Sequence, residues 1–267
     1  MQTKKLYESF HGEKRVIGKS DLGRNIYALK IGAGKPVGLV QYALHGREFI
    51  TAHLAKEHIR VGVYKGSLWL VPLANPDGAL LSQKGLESVE NSKKQNKLIA
   101  LNSGGTDFSL WKANARGVDL NVNFDAAWGT GIKNVTQAGA ENYIGKKPFS
   151  EKETRALKRF TQKIKANYTV SYHTKGEEIY WYFHQQNKEL LRDKRLAGVL
   201  SETTGYPIGN AEGSAGGYKD WCIQSLHIPA FTIEAGANKL THPIREKDYA
   251  DIAKKNRFVL YELSKVF

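Results

Sequence analysis

The sequence predicts a single α/β domain over residues 1–267, with a mixed, mostly parallel twisted sheet of about eight strands and helices on both faces. Three observations carry this. Short apolar runs alternate with amphipathic stretches along most of the chain, as strands alternate with crossover helices. The chain has 267 residues, enough to bury one large core. It contains no internal repeat, low-complexity tract or linker that would divide it.

Taken in order, residues 25–32 (NIYALKIG) alternate loosely and read as a strand, closed by the turn signal Gly32-Ala33-Gly34-Lys35-Pro36. Residues 37–44 give the next strand, 49–62 a helix, and 67–73 (SLWLVPL) a third strand. Asn75-Pro76-Asp77-Gly78 is a strong turn. Residues 79–115 are polar and partly helical, with a loop at Gly104-Gly105, and 118–124 (VDLNVNF) read as a short strand or extended segment. Residues 126–149 are loop-like. Ser150-x-x-Glu153 has the form of a capping box opening a helix that runs to about Ala166. Strands are expected at 169–173 and 178–183, and a helix at 185–203. A glycine-rich loop follows at 205–217, then a short helix at 218–226, a strand at 230–235 and one long helix from Pro243 to the end.

Charged residues make up 25% and hydrophobic residues 41%, an ordinary globular composition. No apolar run reaches the ~18–20 residues of a membrane span. The N-terminal stretch MQTKKLYESFHGEKRV is basic but has no apolar segment of the signal-peptide kind. A cytoplasmic location is therefore expected, or a wall-associated one if the chain is trimmed or released by lysis. Cys222 is the only cysteine, which excludes an intrachain disulfide and a cysteine-based zinc site. The net charge of +14 implies attraction to an anionic partner, such as an acidic peptide or an anionic cell-wall polymer. There is no nucleic-acid-binding motif and no basic stripe interleaved with aromatics, so a nucleic-acid partner is not expected. A monomer is expected.

The stretch 38–53 (GLVQYALHGREFITAH) organises the chain. His45-x-x-Glu48 falls where a strand hands over to a helix, and in open α/β sheets ligands bind at that edge. An imidazole and a carboxylate three residues apart in a turn or first helical turn can face one point, as two ligands of one metal must. A catalytic zinc takes three protein ligands and a water. Of the other histidines, His173 stands out: it ends the apolar run 168–172 and is followed at once by the turn Thr174-Lys175-Gly176. His53 and His58 lie on the following helix and read as surface or packing residues. Glu234 interrupts the β-branched run FTIEAG. A carboxylate in a buried strand is costly unless paired or used, so Glu234 is the candidate general base.

These residues resemble the zinc metallocarboxypeptidase family M14. His45-x-x-Glu48 and His173 match its zinc ligands, Asn75-Pro76-Asp77-Gly78 its turn, GVDLNVNF (117–124) its GVDLNRNF motif and TIEAG (232–236) its general-base strand. The resemblance is nearest to the bacterial γ-D-glutamyl–meso-diaminopimelate peptidases, through WKANARGVDLN (111–121), SYHTKGEEIYWYF (171–183) and GGYKDW (216–221).

The resemblance implies a zinc carboxypeptidase-like fold, Zn(2+) held by His45, Glu48 and His173, and Glu234 as general base and then acid. It implies Arg116 as the oxyanion donor, with Lys112, directly after Trp111, as the alternative. Asn121 would hold a substrate carboxylate or amide. Lys219 falls near the position that selects the substrate side chain, and the other reading of it is a solvent-facing lysine. Val122 departs from the family: the digestive enzymes place there an arginine that clamps the terminal carboxylate. Tyr206 and Tyr218 are the candidates for the substrate-capping tyrosine. Three functions follow as expectations. The first is hydrolysis of the γ-D-glutamyl–meso-diaminopimelate bond of peptidoglycan stem peptides or muropeptides. The second is a carboxypeptidase or deglutamylase for ordinary peptides, and the third an inactive polyanion-binding module.

Overall fold

In a computed structural model that describes residues 2–209 and 213–267, the central sheet has seven strands. They are β1 (Lys14–Lys19), β2 (Asn25–Gly32), β3 (Val37–Tyr42), β4 (Ser67–Val71), β5 (Tyr168–His173), β6 (Glu178–Tyr180) and β7 (Ala230–Glu234). Their order is β1-β2-β4-β3-β5-β7-β6. The middle four, β4, β3, β5 and β7, run parallel. The outer pairings β1–β2, β2–β4 and β6–β7 are antiparallel.

Side-chain alternation sends each strand's residues to two separate cores. One face carries Val40, Tyr42, Leu70, Val170, Phe231 and Ile233. It is covered by α2 (Leu54–Val61), α6 (Asn187–Thr204), α8 (Tyr249–Asn256) and α9 (Val259–Lys265). The other face carries Ile26, Leu39, Trp69 and Val71 under α5 (Lys152–Ile164) and α7 (Tyr218–Leu226). Of the remaining helices, α1 (Gln2–Ser9) adds Leu6 to the first core, and α3 (Pro76–Lys84) and α4 (Ser92–Leu101) share a smaller cluster through Leu81 and Leu98. A fully buried Leu, Ile or Phe side chain is worth ~1.5–3 kcal/mol. These two layers therefore anchor, from both faces, the strands whose ends carry the site. No helix among the described residues is long and apolar enough to cross a membrane.

The departures from the sequence reading are local and have causes. The extended segment expected at 118–124 is a 3-10 turn at Leu120–Val122, because the Asp119 carboxylate accepts from Asn121 N at 3.0 Å and bends the chain. The strand that takes its place in the sheet is β1, whose sequence KRVIGK is too polar to read as one. The helix expected at 49–62 begins as a 3-10 segment at Gly46–His53, kinked at Glu48 (φ −100°, ψ 23°). The box Ser150-x-x-Glu153 is not made: Ser150 Oγ donates to Glu151 Oε1 at 2.8 Å, and Glu153 accepts from Asp21 N at 3.3 Å and Asn114 Nδ2 at 3.4 Å. The C-terminal helix is broken into a 3-10 turn at Glu246–Asp248, α8 and α9. Of the loop expected at 205–217, residues 210–212 lie outside the described residues.

Candidate active site

The site lies where β3, β5 and β7 end together. His173 is the last residue of β5, Glu234 the last of β7, and the two are register partners. β3 stops at Tyr42 because Ala43 turns into the left-handed region (φ 51°). The loop after it, 43–48, is tied down at every turn. Ala43 N donates to Thr51 Oγ1 at 2.9 Å, and Thr51 Oγ1 donates to Glu48 O at 2.9 Å. Gly46 N donates to Lys112 O at 2.9 Å. Gly46 cannot be replaced, since a Cβ there would lie 2.5 Å from Gly78 O and 2.7 Å from Trp111 O. The turn at Asn75 explains itself here: Asn75 Oδ1 caps α3 through Gly78 N at 2.9 Å. Its Nδ2 donates to Leu44 O and to Ala113 O, both at 3.1 Å. One asparagine thus joins the His45 loop to the 111–119 segment.

His45, Glu48 and His173 are all buried, and their donor atoms lie within 4.8 Å of one another. His45 Nδ1 is 2.9 Å from Glu48 Oε1, His173 Nδ1 is 2.9 Å from Glu48 Oε2, and the two Nδ1 atoms are 3.1 Å apart. Two ring nitrogens and a carboxylate converging on one buried point are the donor set of a catalytic zinc site, so the residues fit the ion. Burial pushes Glu48 up, but the two imidazoles outweigh it and hold the carboxyl well below the usual carboxylate range.

Behind His45 stands a group that the sequence reading passed over. His45 Nε2 lies 3.2 Å from Asp119 Oδ1. A carboxylate on the far ring nitrogen fixes the tautomer of a metal-binding histidine and the ring's direction. The other oxygen, Asp119 Oδ2, lies 2.8 Å from Lys112 Nζ. Burial pushes Asp119 up, yet Lys112 and His45 outweigh it and keep it ionised. Burial works against the Lys112 charge, and Asp119 more than restores it. The signal available in sequence was a single acid set among the apolar residues of GVDLN.

A cavity of about 420 Å³ opens beside the triad, with His45, Lys112, Asn121, Val122, Lys219 and Glu234 in its wall. Burial pushes the Glu234 carboxyl up to about 7, against the opposing pull of His173. Such a group can take a proton and return it near neutral pH. Asn121 Oδ1 accepts from Tyr218 N at 3.2 Å, leaving its amide nitrogen available. Lys219 is not solvent-facing; it is 6% exposed, donates to Tyr182 O at 2.9 Å and pairs with Asp220.

Arg116, expected as the oxyanion donor, is not brought into this group. Asn114 Oδ1 accepts from Arg116 N at 2.9 Å and Val118 N at 3.1 Å. This tight turn sends the Arg116 side chain outward, where its Nε lies 3.2 Å from Glu151 Oε2 and the chain is 47% exposed. Neither candidate capping tyrosine reaches the cavity. Tyr206 OH accepts from Asn256 Nδ2 at 3.0 Å, and Tyr218 OH lies 2.7 Å from Thr161 Oγ1 under α5. The tyrosine in the wall is Tyr180, whose hydroxyl donates to Glu178 Oε2 at 2.6 Å.

Fold and site define a metal-dependent hydrolase with its chemistry at parallel strand ends. Comparison with known proteins agrees. The profile of the zinc carboxypeptidase (peptidase M14) family matches residues 4–257. The gamma-D-glutamyl-L-diamino acid endopeptidase 1 of Lysinibacillus sphaericus is 33% identical over 251 residues, covering 87% of this chain and 62% of that protein. The chain thus spans less than two thirds of that relative's length. The murein peptide amidase A of Escherichia coli is 30% identical over 151 residues, 53% of this chain and 58% of the amidase. Among solved structures, bovine thrombin-activatable fibrinolysis inhibitor superposes with a TM-score of 0.78 at 18% identity, over 99% of this chain and 93% of its own. The murein-tripeptide amidase MpaA of Escherichia coli O157 gives 0.64 at 23% identity, over 96% and 93%; both likenesses concern the fold. The chain belongs to the zinc carboxypeptidase (M14) family. The His45, Glu48 and His173 donor set suits the ion for which that family is named.

Proposed function

We propose that residues 1–267 form one catalytic domain that hydrolyses the γ-D-glutamyl–meso-diaminopimelate bond of peptidoglycan stem peptides. His45, Glu48 and His173 would hold the zinc. When bound, the ion supplies Lewis-acid polarisation and a water of lowered pKa. Glu234 takes the proton of the attacking water and returns it to the leaving nitrogen. Lys112, rather than Arg116, donates to the developing oxyanion. A fixed donor at that point is typically worth ~10²–10³ in rate.

The observation that carries the substrate reading is the buried Lys219–Asp220 pair in the cavity wall. The far end of meso-diaminopimelate carries an ammonium and a carboxylate. Lysine has three N–H donors, and Lys219 spends two, on Tyr182 O and Asp220 Oδ1. The third suits a carboxylate, and the unused lone pairs of Asp220 suit an ammonium. Val122, also in the wall, offers no donor to clamp a terminal α-carboxylate, which argues against ordinary carboxypeptidase action. The names of the two bacterial relatives point the same way.

The test compares L-Ala-γ-D-Glu-meso-diaminopimelate with the L-lysine peptide lacking the distal carboxylate. The diaminopimelate peptide should have the higher kcat/KM, and Lys219→Ala should shrink the difference. Hippuryl carboxypeptidase substrates should turn over poorly. Equal cleavage of both stem peptides by the wild-type enzyme would remove the physical basis of the assignment.

A further inference from the structure

The net charge of +14 is not spread evenly. Residues 146–165 contain eight Lys and Arg and two carboxylates, Glu151 and Glu153. Both carboxylates point inward and are at most 1% exposed. Along α5, Lys152, Arg155, Arg159 and Lys163 follow helical spacing on one side. Lys146, Lys147, Lys152, Arg159, Lys163 and Lys165 are exposed and Lys158 half-buried. Among the described residues, only Lys152 of this set has a carboxylate within 4.0 Å, Asp21 at 3.8 Å. β1 packs against the same helix, its Gly18 seated on Ala156. The outcome is a surface whose exposed charges are nearly all positive. Lys158 lies 4.2 Å over the Phe149 ring and Arg155 donates to the carbonyls of Phe149 and Ser150; the remaining cations, Lys152 apart, have no partner among the described residues.

Two details narrow the partner. The aromatic rings of this region, Phe149 and Phe160, are 9% and 4% exposed, so no ring is presented for bases to stack on. The charges are mostly lysines, hydrated point charges that suit dispersed phosphates better than bidentate forks. The face also starts at the catalytic cleft. Lys147 O accepts from Asn123 Nδ2 at 3.1 Å, next in sequence to the cavity residue Val122. The N-terminus of α5 holds Asn114 through Glu151 at 2.8 Å.

We propose that the α5–β1 face docks a linear polyanion of repeating phosphodiesters without stacking bases, lying alongside the mouth of the active site. That such a polymer is part of the matrix around the substrate rests on the stem-peptide reading above; the docking itself does not.

The test measures binding of fluorescent inorganic polyphosphate and of a synthetic glycerol-phosphate oligomer by anisotropy, between about 50 and 200 mM salt. The variant Lys158→Glu/Arg159→Glu/Lys163→Glu removes the face. Lys93→Glu/Lys94→Glu/Lys97→Glu on the exposed side of α4 changes net charge equally and is the control. Each lost phosphate contact should lower the slope of log K against log salt by ~0.7, so the α5 variant should bind at least about tenfold more weakly. The control should keep the wild-type slope. Both variants should cleave a short stem peptide at the wild-type rate, which also shows that they fold. If the α5 reversal does not fold, the corresponding Gln triple replaces it and should lose the same contacts. Equal weakening by both variants would show net charge without a docking face. Tighter binding of single-stranded DNA of equal phosphate number would show base contacts. Either result overturns the proposal. A wild-type enzyme that ignores stem peptides but binds polyphosphate through α5 would refute the substrate reading and leave the docking face intact.

Discussion

Glu153→Gln should make the protein more resistant to unfolding at pH 8 and change little at pH 5. Glu153 is fully buried at the start of α5, with Asp77 and Glu151 nearby, and burial pushes its carboxyl from 4.5 up to about 7. The sign follows from proton counting. Below pH 4.5 the group is protonated in both states and stability does not depend on it. Between 4.5 and 7 the unfolded chain releases the proton while the folded one keeps it. Stability therefore falls as pH rises, and the loss is complete above 7. At 1.36 kcal/mol per pKa unit, the change between pH 5 and pH 8 comes to about 2–3 kcal/mol. Glutamine never ionises and escapes that loss. It also turns an NH₂ toward a neighbouring donor, Asn114 Nδ2 or Asp21 N, a fixed cost of about 1 kcal/mol that does not vary with pH. Reversible urea unfolding of both proteins, zinc-saturated, at the two pH values separates the two effects as a double difference. A variant that differs from wild type by the same amount at pH 5 and pH 8 would refute the reasoning, since Glu153 would then be ionised in both states throughout.

The remaining predictions concern the site. Mass spectrometry of metal content should find one zinc per chain, and His173→Ala should lose it while circular dichroism stays native; retention of a full equivalent would mean that the ion sits elsewhere. Glu234→Gln should keep zinc and fold but lower kcat ~10²–10⁴-fold, the usual contribution of a general acid–base group, and a near-wild-type rate would point to another base. Lys112→Ala should lower kcat ~10²–10³-fold, whereas Arg116→Ala should leave turnover within about twofold, because its side chain reaches Glu151 outside the cavity wall, and that buried carboxylate keeps Asn114 Nδ2 and Ser150 Oγ, both at 2.8 Å. Loss of activity in the arginine variant alone would restore the original reading of the 111–117 segment.

What was legible in the sequence were the residues whose burial or chemistry is anomalous for their place. His45, His173 and Glu234 are polar groups at the ends of apolar runs, and the structure brings all three to one edge of the sheet. Arg116 was preferred to Lys112 because nothing in the local sequence shows which way a turn sends either side chain. That direction is set by Asn114, whose partners Glu151 and Glu153 arrive from 37 and 39 residues further along. β1 was hidden for a similar reason: as an edge strand it needs little apolar surface, and its pairing with β2 is what makes it a strand. The kink at Glu48 was invisible because it depends on Thr51 and Asn75 holding a loop that local propensity would have made helical.

The cavity has two walls of different character. On one side, Asn75 ties the His45 loop to the 111–119 segment and Asp119 ties His45 to Lys112, so these groups are held to one another. On the other side the wall is loop against loop, with Ile132 N donating to Gly213 O at 3.0 Å and Ile132 itself 83% exposed. The two walls meet a few residues on, where Val135 N donates to Asn142 O at 3.0 Å and Asn142 N donates to Asp119 Oδ2 at 3.1 Å. A substitution at the exposed Ile132 therefore reshapes only the rim of the cavity, whereas one at Asn142 reaches the carboxylate behind His45.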